Sequence, residues 1–395
     1  MNILVLNAGS SSLKFEIIDD NWQRLSKGGV DRFGERATLA LTSGGETKLM
    51  DGAIPDARTA IDLLVNEAVR QHGTIHAAGH RVVQGGERFL HSVLITPDVL
   101  KGIQECVELA PLHNPANIRG IEAVRDVFGN SLPQVAVFDT SFHQQAPERA
   151  YLYGVPYALY EQFEIRRYGF HGTSYRYLWS RYLAITGRPA ESSRIIALHL
   201  GNGCSVCAIN RGRPIDTSMG FTPLEGLMMG TRCGDIDPSV VAFLNRKTGQ
   251  TADQIEAVLN HDSGLLGISG MTNDMRDLLK ASQDGAHPRA QLAIEMFCYR
   301  ACKYVGAYLA AMGGADAVVF SAGIGEHAPE IRAMICQSLG WCGLMIDDAR
   351  NMKASGEEGK ISTDTSTMAA WVIPTDEELV IAQDTYRLAQ SATIA

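Results

Sequence analysis

The sequence lacks any apolar stretch long enough to cross a membrane, and it does not begin like a signal peptide. It opens MNILVLNAGS, where the apolar run covers only residues 3–6 and no basic segment precedes it. A membrane span needs about 20 apolar residues, and a signal peptide needs a longer apolar core than this one. We therefore expect a cytoplasmic protein.

The sequence also lacks an excess of positive charge and a zinc-binding pattern of cysteines. Its 35 Lys and Arg against 44 Asp and Glu give a net charge of -9 at pH 7, which argues against a nucleic-acid partner. Cys204 and Cys207 form a CxxC, but no second CxxC or nearby His pair completes a zinc site. We interpret the eight cysteines as buried, reduced thiols that pack as small hydrophobic side chains.

A pattern that occurs twice organises the 395 residues. Residues 3–19 and 195–210 each read as an apolar strand, a turn of small residues and an alternating strand, which predicts one β-hairpin in each half. Superposing the two patterns aligns Asn7 with His199. Matching hairpins half a chain apart indicate a duplicated domain.

Helical and strand-like segments follow each hairpin, which is typical of α/β folds. The helical spacing covers residues 60–71, 117–127, 288–311 and 377–390, and the strand-like runs cover 135–138 and 317–320. We place a domain boundary within residues 148–156. The first domain then comprises residues 1–150 with about 377–395, and the second comprises residues 151–376.

Three glycine-containing turns are candidates for binding phosphate groups. Residues 7–14, NAGSSSLK, combine backbone N–H groups and Ser hydroxyls with the charge of Lys14, and Asn7 offers a carbonyl oxygen suited to Mg²⁺. An ordinary hairpin turn is an equally supported alternative for this segment. The other two turns are HLGNG at 199–203 and SAGIGEHA at 321–328.

The third turn also matches a dinucleotide fingerprint, Gly323-x-Gly325-x-x-Ala328, with Asp347 at about the spacing of a ribose-binding acid. A nicotinamide-dependent oxidoreductase is therefore an alternative. Too few residues follow to complete the usual sheet, and two further glycine turns precede, so we favour a mononucleotide site. The sequence contains no P-loop GxxxxGK[ST], so this site belongs to another class.

Several cationic side chains stand beside glycine, proline or apolar residues, which indicates that they face inward. They are His80, Arg81, His113, His171 and Arg232. For each one alone, a core histidine or a structural ion pair is the more common explanation. Together with three glycine turns they favour phosphoryl transfer, which needs positive charge around the transferred oxygens.

Acidic residues occupy two informative positions. Asp139 ends a buried strand, where acids are uncommon, and Glu377 and Glu378 begin the last predicted helix. For the two glutamates taken alone, a favourable interaction with the helix dipole is the simplest explanation. We interpret Arg166-Arg167 as a solvated pair and Met228-Met229 as core packing.

The sequence resembles the acetate kinase family over nearly its whole length. The resemblance rests on ten stretches in the family order: NAGSSSLKF, GHRVVQGGERF, LAPLHNPAN, VFDTSFHQ, RRYGFHGTS, HLGNG, DTSMGFTPLEGLMMGTRCGDIDP, SGLLGISG, FSAGIGE and IPTDEELVIA. It implies the actin, sugar-kinase and chaperone-ATPase fold group, with two duplicated ribonuclease-H-like domains and a nucleotide cleft between them. It also implies a homodimer whose second domain mediates dimerisation.

The activity that the resemblance implies is reversible, Mg²⁺-dependent phosphoryl transfer from ATP to acetate, giving acetyl phosphate and ADP, with Mn²⁺ as a substitute for Mg²⁺. The partners would be a small carboxylate and a nucleotide, without nucleic acid or membrane. A propionate or butyrate kinase is the closer alternative. An actin-like, partner-coupled ATPase is more remote, because it leaves Arg81, His171 and Arg232 without a function.

The resemblance also implies a role for each site residue. Asn7 and Glu377 would hold Mg²⁺, and Ser10, Ser12 and Lys14 would face the phosphates. Arg81 would bind the substrate carboxylate within an apolar wall of Val83, Leu112, Phe170 and Pro223. His171 and Arg232 would stabilise the transferring phosphoryl group, with His113 nearby. The nucleotide would be lined by His199, Leu200, Gly201, Asn202, Gly203, Asp274, Met275, Arg276, Gly323, Ile324, Gly325, Glu326 and His327.

Asp139 corresponds to an aspartate that the family describes as a proton acceptor. A fatty acid is already ionised at pH 7, so its carboxylate needs no base. We therefore expect Asp139 to orient Arg81 or its neighbours. Two positions depart from the family pattern: His327 replaces the usual Asn, and Asp376 precedes the two glutamates.

Overall fold

The computed structural model describes residues 1–283, 285 and 287–394, and it divides the chain into two compact units. The first unit comprises Met1–Gln144 and the C-terminal segment from Asp376, and the second comprises Gln145–Thr375. Each unit is built on one mixed β-sheet with helices packed against it. The predicted α/β class is confirmed.

The first unit begins with the predicted hairpin, and its strands precede most of its helices. Its elements are β1 (Ile3–Ala8), β2 (Leu13–Ile18), β3 (Arg24–Val30), β4 (Gly34–Ser43), β5 (Glu46–Ile54), α1 (Ala57–His72), β6 (Ala77–Val82), β7 (Val93–Leu94), α2 (Pro97–Glu105), α3 (Asn114–Phe128), β8 (Gln134–Phe138) and a 3₁₀ turn, Ser141–Gln145, that reaches the unit boundary. The sheet order is β5-β4-β3-β2-β1-β6-β8-β7.

The second unit contains one six-stranded sheet, and helices lie between groups of its strands along the chain. Its elements are α4 (Glu148–Tyr151), α5 (Tyr157–Phe163), α6 (Gly172–Thr186), β9 (Arg194–Leu200), β10 (Cys204–Asn210), β11 (Arg213–Thr217), α7 (Ser239–Thr248), α8 (Ala252–His261), α9 (Gly264–Ser269), α10 (Met275–Gln283), α11 (Pro288–Met312), β12 (Ala317–Ser321), α12 (Ala322–His327), α13 (Pro329–Gln337), α14 (Asp348–Lys353), β13 (Gly359–Lys360) and β14 (Ala369–Val372), with 3₁₀ turns at Ala190–Ser192 and Gly340–Cys342. The sheet order is β11-β10-β9-β12-β14-β13.

The two sheets share a topology at their centres. In each, an antiparallel hairpin (β1–β2 or β9–β10) is followed by a parallel neighbour, with Ile3 beside Ala77 in one sheet and Ile195 beside Ala317 in the other. The apolar runs of β8 and β12 are buried along their whole length, as parallel strands covered on both faces require. Both predicted hairpins are therefore confirmed, and they occupy equivalent positions.

The chain ends in α15 (Glu377–Ile394), which packs on β1, β6 and β8 of the first unit. The approach is close at Gly79, where a Cβ atom would lie 2.2 Å from Thr385 Oγ1 and 2.7 Å from Ile381 Cγ2. Only glycine fits this position. The packing fixes the first turn of α15, and with it Glu377, beside the ends of β1 and β6.

Two expectations about the core need correction. Arg166-Arg167 is not a solvated pair: Arg166 is only 4% exposed and lies 3.6 Å above the Tyr151 ring, and Arg167 donates to Glu225 Oε1 at 2.6 Å and to three main-chain carbonyls. The cysteines are all free thiols, but three are partly exposed rather than buried, namely Cys233, Cys302 and Cys342.

Other core expectations hold. Met228 and Met229 are buried, as predicted. His80 is a core histidine: its Nε2 lies 2.7 Å from Gln134 Oε1, and burial lowers its pKa to about 4. Among the described helices, none is both long and apolar enough to cross a membrane.

Candidate active-site clusters

The first cluster forms where β6 and β8 end. These strands are parallel neighbours, so Arg81 and Asp139 emerge at the same edge of the sheet. Arg81 Nε donates to Asp139 Oδ1 at 3.1 Å, and its Nη2 donates to Oδ2 at 2.5 Å. Asp139 is fully buried, whereas the Arg81 side chain is 22% exposed. A two-pronged bond of this kind fixes the plane of the guanidinium group.

A cavity of about 240 Å³ adjoins this pair and contains Asn7, Lys14, Glu377 and Glu378 in its wall. Asn7 Oδ1 lies 3.4 Å from Arg81 Nη1, and Glu377 Oε2 lies 3.9 Å from Arg81 Nε. Burial raises the pKa of Glu377 to about 7, with smaller upward contributions from Asp139 and Glu378 that the charge of Arg81 opposes. The cavity therefore holds a carboxyl group short of compensating positive charge.

The remaining predicted residues of the first unit lie outside this cavity wall. Ser10 is exposed and lines a separate cavity, and the carbonyl of Ser12 accepts the N–H of Gly9 at 2.9 Å. His113 is the N-cap residue of α3, and Leu112 beside it is 56% exposed. Val83 is buried, and its N–H donates to Asn117 Oδ1 at 3.1 Å.

The second unit brings His171 and His199 together as stacked rings, with centroids 4.0 Å apart and an interplanar angle of 22°. His199 lies on β9, and His171 is the N-cap residue of α6 in a left-handed conformation, φ 58°. Three buried hydroxyls that the sequence did not indicate surround the pair: Ser174, Tyr175 and Ser205. In the chain, Ser174 lies 25 residues from His199, Tyr175 lies 30 residues from Ser205, and Ser205 lies 34 residues from His171.

Arg232 lies in the loop before α7, and its Nη1 donates to the carbonyl of Pro223 at 3.1 Å. Asp235 ties this loop to α11, because its Oδ2 accepts from Tyr304 Oη at 2.8 Å. Phe170 is almost fully buried beside His171 in the chain. Of the residues predicted for the apolar wall, Val83 and Leu112 belong to the first unit, and Phe170 and Pro223 belong to the second.

A cavity of about 440 Å³ in the second unit collects most of the predicted nucleotide residues. Its wall includes eight of them: Gly201, Asn202, Asp274, Met275, Arg276, Gly323, Ile324 and His327. Three further residues of the wall were not predicted, namely Asn273, Leu279 and Ala328. Leu279 follows Met275 by one helical turn, so the spacing of α10 gave a signal for it.

The other predicted nucleotide residues lie elsewhere. His199 stacks on His171, Leu200 is buried in β9, and Gly203 adjoins His171 and Arg232. Gly325 faces the core, where a Cβ atom would lie 3.7 Å from Leu200 Cβ. Glu326 accepts the N–H groups of Ala322 at 2.7 Å and Thr375 at 3.1 Å, so its carboxylate stabilises the protein backbone.

The two departures from the family pattern have clear environments. The His327 ring lines the 440 Å³ cavity of the second unit and packs on Gly356, where a Cβ atom would lie 2.7 Å from its Cε1. Asp376 caps α15 by accepting the N–H of Leu379 at 3.1 Å, and it pairs with Arg24. Asp347, the candidate ribose acid, instead caps α14 by accepting the N–H of Arg350.

Replacing Asp376 by alanine is expected to lower the free energy of unfolding by about 1 kcal/mol, the usual value of an N-cap. The partly exposed Arg24 adds little to this. Because the sequence resemblance assigns a Mg²⁺ ligand to the next residue, Glu377, we also expect the Mg²⁺ concentration for half-maximal activity to rise several-fold. Asp56→Ala, which removes the cap of α1, is the matched control. A loss of stability in both variants with unchanged Mg²⁺ dependence in both would contradict this.

Comparisons with known proteins agree with one another. The profile of the acetokinase family matches residues 2–383. The chain is 53% identical to the acetate kinase of Solibacter usitatus over 98% of each chain, and 50% identical to that of Chloroherpeton thalassium over 98% of this chain and 99% of the relative. Two solved structures superpose with it at 42% identity, each covering 98% of this chain and 99% of its own: the acetate kinase of Porphyromonas gingivalis (TM-score 0.92) and a propionate kinase from Francisella tularensis (TM-score 0.93).

Proposed function

Since this chain belongs to the acetokinase family, we propose that it transfers the γ-phosphoryl group of ATP reversibly to acetate, giving acetyl phosphate and ADP. Its class is that of a phosphotransferase with a carboxyl group as acceptor. The observation that carries the proposal is the guanidinium fork of Arg81, which Asp139 holds beside Asn7 and Glu377. This arrangement suits an anionic substrate next to a metal ion.

Arg81 binds the carboxylate of acetate in this proposal. Its Nη1 donates to the amide oxygen of Asn7 at 3.4 Å, on the side of the guanidinium that Asp139 does not occupy. Acetate is ionised at neutral pH, so one of its oxygens attacks phosphorus without prior loss of a proton. Asp139 keeps Arg81 in place and takes no part in proton transfer.

The metal is Mg²⁺ in this proposal, with Mn²⁺ as a substitute, and Asn7 and Glu377 are its ligands. Within the described residues no group of three or more His, Cys, Asp or Glu could hold a metal ion by itself. Two oxygen donors fit Mg²⁺, which usually keeps several waters and binds substrate phosphates. The raised pKa of Glu377 also indicates a position that gains from a cation. When bound, the ion neutralises charge on the phosphates.

The second unit binds the nucleotide in this proposal, in the cavity lined by Asn202, Asp274, Arg276 and His327. His171 and Arg232 stabilise the charge on the transferring phosphoryl group, with His113 as a further contributor. Such positioned charges provide most of the catalysis in phosphoryl transfer. Ser10, Ser12 and Lys14 are phosphate contacts in the same scheme, of which Lys14 shares the cavity of Asn7.

The reverse reaction tests this function. MgADP with acetyl phosphate should yield ATP, detected by luciferase, and omission of either substrate should abolish the signal. Arg81→Ala should lose most of the activity, whereas Arg88→Ala, which removes an exposed arginine of the same unit, should retain it. Equal activity of Arg81→Ala and Arg88→Ala would contradict the role given to Arg81.

Substrate size gives a second test, because Val83 is buried directly after β6, two residues from Arg81. One methylene contributes about 1–3 kcal/mol of discrimination, so we expect kcat/KM for propionate to be roughly tenfold below that for acetate. Val83→Ala should narrow this ratio. Val124→Ala, which shortens a fully buried valine in the core of the same unit, should leave it unchanged. A preference of the wild type for propionate would reverse the substrate assignment.

We also propose a cytoplasmic homodimer. Large apolar side chains of the second unit are exposed, including Phe243, Leu292 and Tyr299. Surfaces of this kind are common at subunit interfaces. Sedimentation equilibrium should give twice the chain mass of 42.8 kDa, and a mass equal to that of one chain at every concentration would exclude the dimer.

A further inference from the structure

Each of the two stacked histidines has its Nδ1 atom held by a serine hydroxyl. His171 Nδ1 lies 2.8 Å from Ser205 Oγ, and His199 Nδ1 lies 2.9 Å from Ser174 Oγ. An imidazole that is fixed through one nitrogen presents its other nitrogen to the surroundings, and the bond at the first decides whether the second carries a proton.

The contact at His171 extends one step further. Tyr175 Oη lies 2.5 Å from the same Ser205 Oγ, and both Tyr175 and Ser205 are fully buried. Tyr175 follows His171 by one helical turn, with its N–H bonded to the His171 carbonyl at 3.0 Å, and Ser205 pairs with His199 across the β9–β10 hairpin. Three residues from two elements thus form the series Tyr175–Ser205–His171.

The series can deliver a proton to His171. Burial raises the pKa of Tyr175 well above its ordinary value, so the phenol keeps its proton. The phenol can donate this proton to Ser205 Oγ, and Ser205 then has its own proton to donate to His171 Nδ1. Nδ1 is an acceptor in this arrangement, which leaves the ring proton on Nε2.

We infer that Tyr175 and Ser205 are positioning residues that hold His171 in the tautomer with its proton on Nε2. The inference rests on the proposed function, in which His171 donates to an oxygen of the transferring phosphoryl group. A donor at Nε2 is what that role requires, because the other tautomer would turn a lone pair toward an anionic oxygen.

The surroundings of Nε2 agree with a donor role. A Cβ atom at Gly203 would lie 3.7 Å from His171 Nε2 and 3.5 Å from Arg232 Nη1. Glycine therefore leaves open a space that both nitrogens border. An N–H at His171 Nε2 and the guanidinium of Arg232 would then both face an anionic oxygen in this space.

The tautomer can be measured directly in the resting enzyme. We would label the 11 histidines with ¹⁵N and record two-bond ¹H–¹⁵N correlation spectra at neutral pH, assigning His171 from the signals lost in His171→Gln. The expected spectrum shows a protonated nitrogen at Nε2 and an unprotonated nitrogen at Nδ1. A wild-type protein with the His171 proton on Nδ1 would reverse the direction of the series and overturn the inference.

Two variants test the link to turnover. Ser205→Ala should mix the two His171 tautomers and lower kcat about tenfold, the value of one hydrogen bond, while KM for MgATP and acetate changes less than about threefold. Tyr175→Phe should give a smaller loss with the same spectral change. Ser193→Ala removes an equally buried hydroxyl, which donates to the carbonyl of Pro189, and should change neither the His171 tautomer nor kcat.

The outcomes separate the inference from the proposed function. Tautomers in Ser205→Ala and Tyr175→Phe that match the wild type would overturn the inference, whatever the activity. If Ser205→Ala does not fold, the wild-type spectrum and Tyr175→Phe still decide. A wild-type protein with the expected tautomer but no acetate-dependent turnover would instead contradict the proposed function.

Discussion

Replacing Asp139 by asparagine is expected to lower kcat/KM for acetate about 100-fold without changing the shape of its pH profile. Asparagine has nearly the size of aspartate, but it presents an NH₂ group where Arg81 now finds a second oxygen. Loss of one partner from a largely buried charge pair costs about 2–5 kcal/mol, and the released Arg81 also loses its fixed plane. The substitution at Asp139 therefore weakens acetate binding indirectly, because Arg81 is no longer held in place.

The pH profile separates an orienting residue from a base. If Asp139 accepted a proton in the reaction, the wild type would show a limb that Asp139→Asn removes or displaces. We expect parallel profiles of log kcat/KM between about pH 5.5 and 9, offset by a constant. Asp384→Asn is the matched control, since Asp384 is also a buried aspartate of the first unit near an arginine, Arg387. It should lower stability and leave the acetate kinetics nearly intact.

Replacing Glu377 by glutamine is expected to lower Mg²⁺-dependent turnover at least 100-fold and, in the metal-free protein, to raise stability above pH 7. The kinetic loss follows from removal of a charged metal ligand. The gain in stability follows from the pKa of Glu377, about 7 in the folded chain against an ordinary 4.5. The folded protein therefore binds a proton more tightly than the unfolded chain does.

The sign of the pH dependence follows from this difference. Below about pH 4.5 the carboxyl group is protonated in both states and has no effect on stability. Between about pH 4.5 and 7 the unfolded chain ionises this group while the folded chain keeps it protonated, so stability falls by about 2–3 kcal/mol relative to the glutamine variant and levels off above pH 7. Thermal unfolding in EDTA from pH 5 to 9 should show this divergence.

Addition of Mg²⁺ completes the second test. The ion should raise the melting temperature of the wild type and leave the melting temperature of Glu377→Gln unchanged. The amide of glutamine lacks the negative charge by which the carboxylate of Glu377 attracts the ion. Glu378→Gln removes the neighbouring charge from the same helical turn and should keep the Mg²⁺ response. If Mg²⁺ raised the melting temperature of Glu377→Gln but not that of Glu378→Gln, the metal ligand would be Glu378 instead of Glu377.

Local sequence patterns predicted much of the fold because their causes are local. The hairpins β1–β2 and β9–β10 follow from apolar runs broken by small residues, and α11 follows from an apolar spacing sustained over 25 residues. Asp139 was expected to orient Arg81 or its neighbours, and it contacts Arg81 although 58 residues separate them. The parallel pairing of β6 with β8 explains how two short motifs meet.

What the sequence did not reveal depends on distant partners. Two adjacent arginines in a sequence suggest a solvated pair. In the structure Arg166 packs on the Tyr151 ring and Arg167 bonds to Glu225, and neither partner is adjacent in the sequence. No sequence pattern around Ser174, Tyr175 and Ser205 predicted that their hydroxyls would contact the stacked histidines. Glu326, within a glycine turn, resembles a ligand contact, but its carboxylate is used by the backbone N–H groups of the turn and of Thr375.

The most direct test of the central claim is ADP release from MgATP with acetate, propionate, butyrate or no acid, combined with hydroxylamine trapping of the acyl phosphate. We expect turnover only when an acid is present, acetate ahead of propionate, and one equivalent of trapped acyl hydroxamate for each ADP. Turnover that is independent of the acid, without trapped product, would identify a partner-coupled ATPase and contradict the account.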